Sequence, residues 1–112
     1  MKRGEIWTIA GGADYAGKPR PAVIVQSDIF DATLSITLCL ITSTLVPAEP
    51  ARFDVAPSAT NGLQSTSHVM VDKILTVPKS KVGRRVGQLD PADLVRLNQH
   101  IALFLGLADR PK

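Results

Sequence analysis

The chain has 112 residues, 45% of them hydrophobic, a net charge of +3 and a pI near 9.4. That length limits it to one domain, residues 1–112, with enough apolar material for a core, and the mild basicity favours a polyanionic partner. One cysteine, Cys39, excludes an internal disulfide, and the longest apolar run, Ile101 to Ala108, is too short to cross a bilayer. Met1-Lys2-Arg3 starts like a signal peptide, but Gly4-Glu5 follows and no apolar stretch does, so the chain reads as soluble and cytosolic, with no membrane partner.

Glu5 to Ala10 alternates as a first strand, and a glycine-rich loop runs from Gly11 to Lys18. Pro21 to Gln26 is a second strand, a nearly continuous β-branched run. Ser27-Asp28 caps a single helical turn before a third strand, Leu34 to Thr42. There Leu34, Ile36, Leu38 and Leu40 fall on one face and Ser35, Thr37 and Cys39 on the other, which predicts one buried face. Arg52 to Val55 is a short edge strand, and Asn61-Gly62 is a turn signal. His68 to Val71 and Ile74 to Val77 form a strand kinked around Asp72-Lys73, and Val82 to Val86 a last short one. The end is helical. Asp90 is the N-cap, Pro91 suits the first helical position, and Leu94, Leu97, Ile101 and Phe104 or Leu105 recur at helical spacing before Gly106. These elements predict a mainly β fold: a small, partly open antiparallel barrel with a C-terminal helix packed on it.

Two strand ends carry polar groups that apolar packing does not explain. Arg20 sits between Pro19 and Pro21, which hold the backbone extended and mount the guanidinium stiffly at the mouth of a strand. Thr42 ends the third strand in the same way. Together they form a phosphate-directed pair. The stretch Gly12 to Lys18 imitates a phosphate-binding loop, but Pro19-Arg20-Pro21 follows where such a loop needs Ser or Thr and a helix. No spacing of His, Cys or acidic residues predicts a metal site, and no cofactor is expected. His100 reads as a packing or partner contact on the helix. His68 starts a strand near Asp72 and is a substrate-contact candidate. Asp72 has three readings: a turn residue paired with Lys73, a carboxylate that orients Arg20, or an acceptor for a ribose hydroxyl proton. Lys73, Lys79, Lys81, Arg84 and Arg85 form a basic stretch without acidic residues, either a solvated hairpin face or an edge for nucleic acid.

Four segments, in this order and spacing, resemble the MazF/PemK (Kid) toxins of type II toxin–antitoxin systems: Arg3-Gly4-Glu5-Ile6-Trp7, Arg20 to Gln26, Leu40-Ile41-Thr42-Ser43, and Val71 to Val77. The resemblance covers essentially the whole chain. It implies an SH3-like barrel (the MazF/Kid/CcdB-like fold), a cytoplasmic homodimer, and a metal-independent endoribonuclease. Such an enzyme cuts single-stranded RNA without the ribosome, and a cognate antitoxin with an acidic, partly disordered C-terminal segment neutralises it. Arg20 and Thr42 match the family's catalytic arginine and threonine. Some members add a catalytic Arg-x-Asp in the later strand; Asp72 is kept here, but Met70 stands where that arginine would be. The family's first loop, often G-[SH]-E-Q-x-G, is replaced by Gly12-Ala13-Asp14-Tyr15-Ala16-Gly17. Asp14, Tyr15 and Lys18 are expected to take over its substrate contacts, alongside Ser43, His68 and Lys73. Two alternatives stand beside this reading. A gyrase poison resembling CcdB needs a closing Trp-Gly-Ile, whereas this chain ends Leu107-Ala108-Asp109-Arg110-Pro111-Lys112. A non-catalytic nucleic-acid-binding barrel needs clustered exposed aromatics, and the few here are scattered.

Overall fold

The computed structural model describes residues 1–10, 18–46 and 51–108. Among these, six strands form one antiparallel sheet: β1 (Glu5–Ile9), β2 (Arg20–Ile24), β3 (Ser35–Thr42), β4 (Arg52–Val55), β5 (Ser67–Pro78) and β6 (Val82–Gln88). Their spatial order is β4-β5-β3-β2-β1-β6, so the sheet is not closed and β4 and β6 are its edges. The helix α1 (Pro91–Phe104) follows β6 and packs on β4 and β5. The expected mainly β fold with a C-terminal helix is the one found.

β3 departs from its expected pattern. Ile36, Leu38 and Leu40 join one apolar cluster with Ala22, Ile24 and Met70, while Cys39 and Ile41 join another with Val23, Val69, Val71 and Leu97. Both faces are therefore buried, one in each cluster, and α1 closes over the Cys39 side through Leu97. Leu34 stays outside the strand and is 90% exposed. Burial pushes the Cys39 thiol up to about 12, so it stays protonated and serves as a small apolar side chain.

The kink expected at Asp72-Lys73 is a bulge within one continuous strand. Cys39 pairs with Ile74 and Ile41 with Val69, so β3 has only Leu40 in the interval where β5 has Met70 to Lys73. The extra residues break the ladder to β3, and the Val71 amide instead donates to the Ala51 carbonyl at 3.0 Å.

α1 begins as the sequence predicts. Asp90 is extended, its carbonyl accepts from the Asp93 and Leu94 amides, and Pro91 opens the helix. The Asp90 carboxylate does not cap the helix; it accepts from the Ser58 hydroxyl at 2.7 Å and ties the preceding loop to the helix start. Leu97 is fully buried with Leu94 and Ile101 packed beside it, whereas Phe104 and Leu105 are exposed at the helix end. His100 meets the Phe53 ring at 4.7 Å between centroids, the packing role expected of it.

Candidate active site

Arg20 is the first residue of β2, paired with Ile9 of β1 and flanked by Pro19 and Pro21. It is half-buried and forms part of the wall of two hollows. The first, about 140 Å³, is lined by Arg20, Leu40, Ile41, Thr42, Thr44, Val46, Arg52 and Met70. The second, about 300 Å³, is lined by residues of β1, β6 and the segment before β5, together with Arg20, Ile41 and Ser43. Thr42 and Ser43, adjacent at the end of β3, thus serve different hollows.

The structure brings the predicted pair Arg20 and Thr42 together. The Thr42 hydroxyl oxygen accepts from the Thr44 amide at 3.1 Å, which fixes its direction and leaves its own O–H as a donor. Between them the apolar walls of Leu40, Val46 and Met70 lower the local dielectric, so each polar group acts more strongly on a bound anion than it would in water.

Asp72 is placed beside Arg52: its carboxylate is paired with that guanidinium, Nε to Oδ1 at 3.1 Å and Nη2 to Oδ2 at 3.2 Å. The bulge in β5 accounts for this, since it releases Asp72 from β3 and carries it beside β4. The Arg52 hydrogen bonds hold the Asp72 carboxyl below the usual carboxylate range against the opposing effect of burial, and the Arg52 and Lys73 charges assist. A carboxylate so held is a weaker base than a free one, and it fixes the Arg52 guanidinium in place.

That guanidinium, Arg52, was legible in the sequence only as the start of an edge strand. In the sheet it pairs directly with Met70 and lines the first hollow with Arg20 and Thr42. A guanidinium thus stands across the ladder from position 70, on the neighbouring strand. A cross-strand register, which sequence spacing alone does not give, was the missing information.

The other predicted contacts divide. Ser43 lines the second hollow. Lys18 and Lys73 are exposed and line neither hollow. Asp14 and Tyr15 lie outside the described residues. His68 is buried and lines neither hollow; it stands opposite Thr42 on β3 and Asp54 on β4, and its Nε2 lies 2.6 Å from Asp54 Oδ1. Within the basic stretch, Arg85 pairs with Glu5 at 3.1 Å and the Lys79 ammonium donates to the Asp31 carbonyl, while Arg84 lines the second hollow. Among the described residues, no three His, Cys, Asp or Glu side chains gather as a metal site, and no helix is long and apolar enough to cross a membrane.

Two guanidinium groups and a directed hydroxyl line this small hollow, and such groups can bind a phosphate ester. The profile of the PemK-like, MazF-like toxins of type II toxin–antitoxin systems matches residues 2–105. The chain belongs to this family. It is 43% identical over 108 residues to a probable endoribonuclease MazF of Mycolicibacterium smegmatis, covering 96% of this chain and 99% of the relative. To the endoribonuclease MazF9 of Mycobacterium tuberculosis it is 33% identical over 118 residues, covering 96% and 98%. Its fold superposes with a TM-score of 0.82 on an endoribonuclease from a mycobacterial species solved with its cognate antitoxin, at 24% identity and covering 98% of this chain and 99% of that one.

The Arg52–Asp72 pair in this MazF-like toxin has a measurable signature. A carboxyl held lower in the folded than in the unfolded chain stabilises the fold above the ordinary Asp range. That stability is lost as pH falls through the range to the lower native value, because the unfolded state binds the proton first. Asp72→Asn should cost roughly 1–2 kcal/mol at neutral pH, the scale of a charge-assisted hydrogen bond, and less at low pH. Urea denaturation of both proteins across the acid range checks this. An unchanged difference at every pH would show that the ion pair is not the source.

Proposed function

We propose that this toxin is an endoribonuclease that cuts single-stranded RNA by in-line attack of a ribose 2′-OH on the adjacent phosphate. The 2′-oxygen forms a bond to phosphorus as the bond to the 5′-oxygen breaks, leaving a 2′,3′-cyclic phosphate and a 5′-OH. The observation that carries the reading is the convergence of Arg20, Thr42 and Arg52 on one hollow. Arg20 binds the phosphoryl oxygens through its fork and stabilises the charge that grows on them. Thr42 donates to the same group. Arg52, held by Asp72, supplies a second fixed positive charge. The bidentate pairing of Asp72 with Arg52 favours a positioning role for that carboxylate, and in this mechanism water takes the 2′-OH proton and returns one to the 5′-oxygen.

The same reading makes the toxin a cytoplasmic homodimer neutralised by a cognate antitoxin. An acidic, partly disordered antitoxin segment suits the basic stretch from Lys79 to Arg85, where charge complementarity steers association.

Protein side chains and water supply the chemistry proposed, so cleavage of a single-stranded RNA should survive excess EDTA and leave 5′-OH ends that a polynucleotide kinase labels directly. Activity lost on chelation and restored by magnesium would overturn the mechanism.

A further inference from the structure

The second hollow is assigned no part in the phosphate chemistry, and it is the better built of the two. One wall is Gly62 to Ser65 with Ser67, in the segment that carries the Asn61-Gly62 turn. Asn61 is fully buried: its Oδ1 accepts from the Ser58 amide at 3.0 Å and the Leu63 amide at 2.9 Å, and its Nδ2 donates to the Ala56 carbonyl at 2.9 Å. Gly62 takes a φ of +69°, and a Cβ there would lie 2.3 Å from the Val86 carbonyl oxygen. The Gln88 amide donates to the Thr60 carbonyl at 3.0 Å, so the segment is hydrogen-bonded to β6 as well as packed against it. The Ser67 hydroxyl then donates to the Ser65 carbonyl and ties down its far end. A wall fixed in this way is preorganised, which makes discrimination between similar ligands efficient.

We propose that this hollow is a nucleobase subsite, taking the base of the nucleotide next to the phosphate held by Arg20, with Gln64 reading the edge of that base. The proposal rests on the ribonuclease reading above and names where part of its sequence preference arises. Contiguity carries it, since Arg20 lines both hollows and a phosphate on its guanidinium has the second hollow beside it. Size agrees: about 300 Å³ lies at the lower bound of ligand pockets, whereas about 140 Å³ suits a phosphate and not a nucleoside. The chemistry fits as well. Ile41, Pro21 and Val86 offer apolar contact to a base face, and the Gln64 amide with the Ser43 and Ser65 hydroxyls offers donors and acceptors to its edge.

The test uses the purified full-length protein on a pool of single-stranded RNA with randomised sequence, reading the cut ends by sequencing. Gln64 is exposed, so its replacement does not threaten the core. Gln64→Ala should flatten the preference at one position beside the cut by roughly tenfold, the scale of one amide–base pair, and leave the preferences elsewhere. Gln64→Glu, which only accepts, should shift that position toward bases that present an amino donor. Preferences unchanged at every position in both variants would overturn the subsite, as would a loss spread evenly over all positions. Weakened binding of an antitoxin with an unchanged cleavage profile would also overturn it and assign the hollow to protein. A wild-type protein that cuts no RNA would instead overturn the ribonuclease reading, and the subsite with it.

Discussion

Replacing Arg20 with alanine is expected to reduce RNA cleavage by at least about 100-fold in a preparation that circular dichroism shows to be folded. The magnitude follows from the role: removing one preorganised donor from developing transition-state charge costs on the order of 10²–10³ in rate. The retained fold follows from the position. Arg20 is half-buried at the start of β2, and neither apolar cluster includes it. Arg20→Lys should recover little, because an ammonium is a point charge and cannot present two parallel donors from the extended backbone that Pro19 and Pro21 impose. Thr42→Ala should lose activity by a smaller factor, about tenfold, and Thr42→Ser should restore much of it, since the Thr44 amide needs only the hydroxyl oxygen to orient it. Near-full cleavage by folded Arg20→Ala would remove the phosphate site as proposed and leave the first hollow without a catalytic role.

The fold was legible where local rules decide it. The apolar run of β2, the short β4 at Arg52–Val55 and the Asp90-Pro91 helix start follow from strand periodicity and capping, and each appears within a residue or two of its expected place. β3 misled because alternation reports two environments without saying that both are dry. Its Cys39 face is apolar enough to be buried once α1 covers it, and its Leu34 end belongs to the preceding turn. The Phe104 or Leu105 step of the helix stripe failed for a related reason: α1 outlasts the surface it covers.

The site was half legible. Arg20 and Thr42 were recognisable because proline geometry and strand ends are local properties. Arg52 was not, since its role depends on pairing opposite Met70 and on a bulge that moves Asp72 across to it, both consequences of strand register. The second hollow was visible only in fragments, as a turn signal at Asn61-Gly62 and a basic residue at Arg84. Nothing in their spacing says that the two meet around Gln64.

Leu97→Ala should be the most damaging single truncation for stability, at about 2–5 kcal/mol, and its effect on RNA cleavage should come through unfolding alone. Leu97 is fully buried and fastens α1 to the cluster that Phe53, Val55, Val69 and Val71 build from β4 and β5. Truncating its isobutyl side chain to a methyl forfeits burial and leaves a cavity between a helix and a sheet that cannot both relax to fill it. In a domain of this size each kcal/mol moves the melting temperature by several degrees, so a drop of about 10 °C or more is expected. Val95→Ala on the same helix is the control: Val95 is 54% exposed, and exchanging a β-branched residue for alanine there should change stability by about 0.5 kcal/mol or less. Leu97 lines neither hollow. At temperatures well below its midpoint the variant should therefore cut RNA at close to the wild-type rate, losing activity only as the unfolded fraction grows. A Leu97→Ala protein that melts like the wild type would show that α1 is not clamped to the sheet through this residue. One that stays folded yet cuts no RNA would show that the helix reaches the chemistry by a route the geometry of the two hollows does not contain.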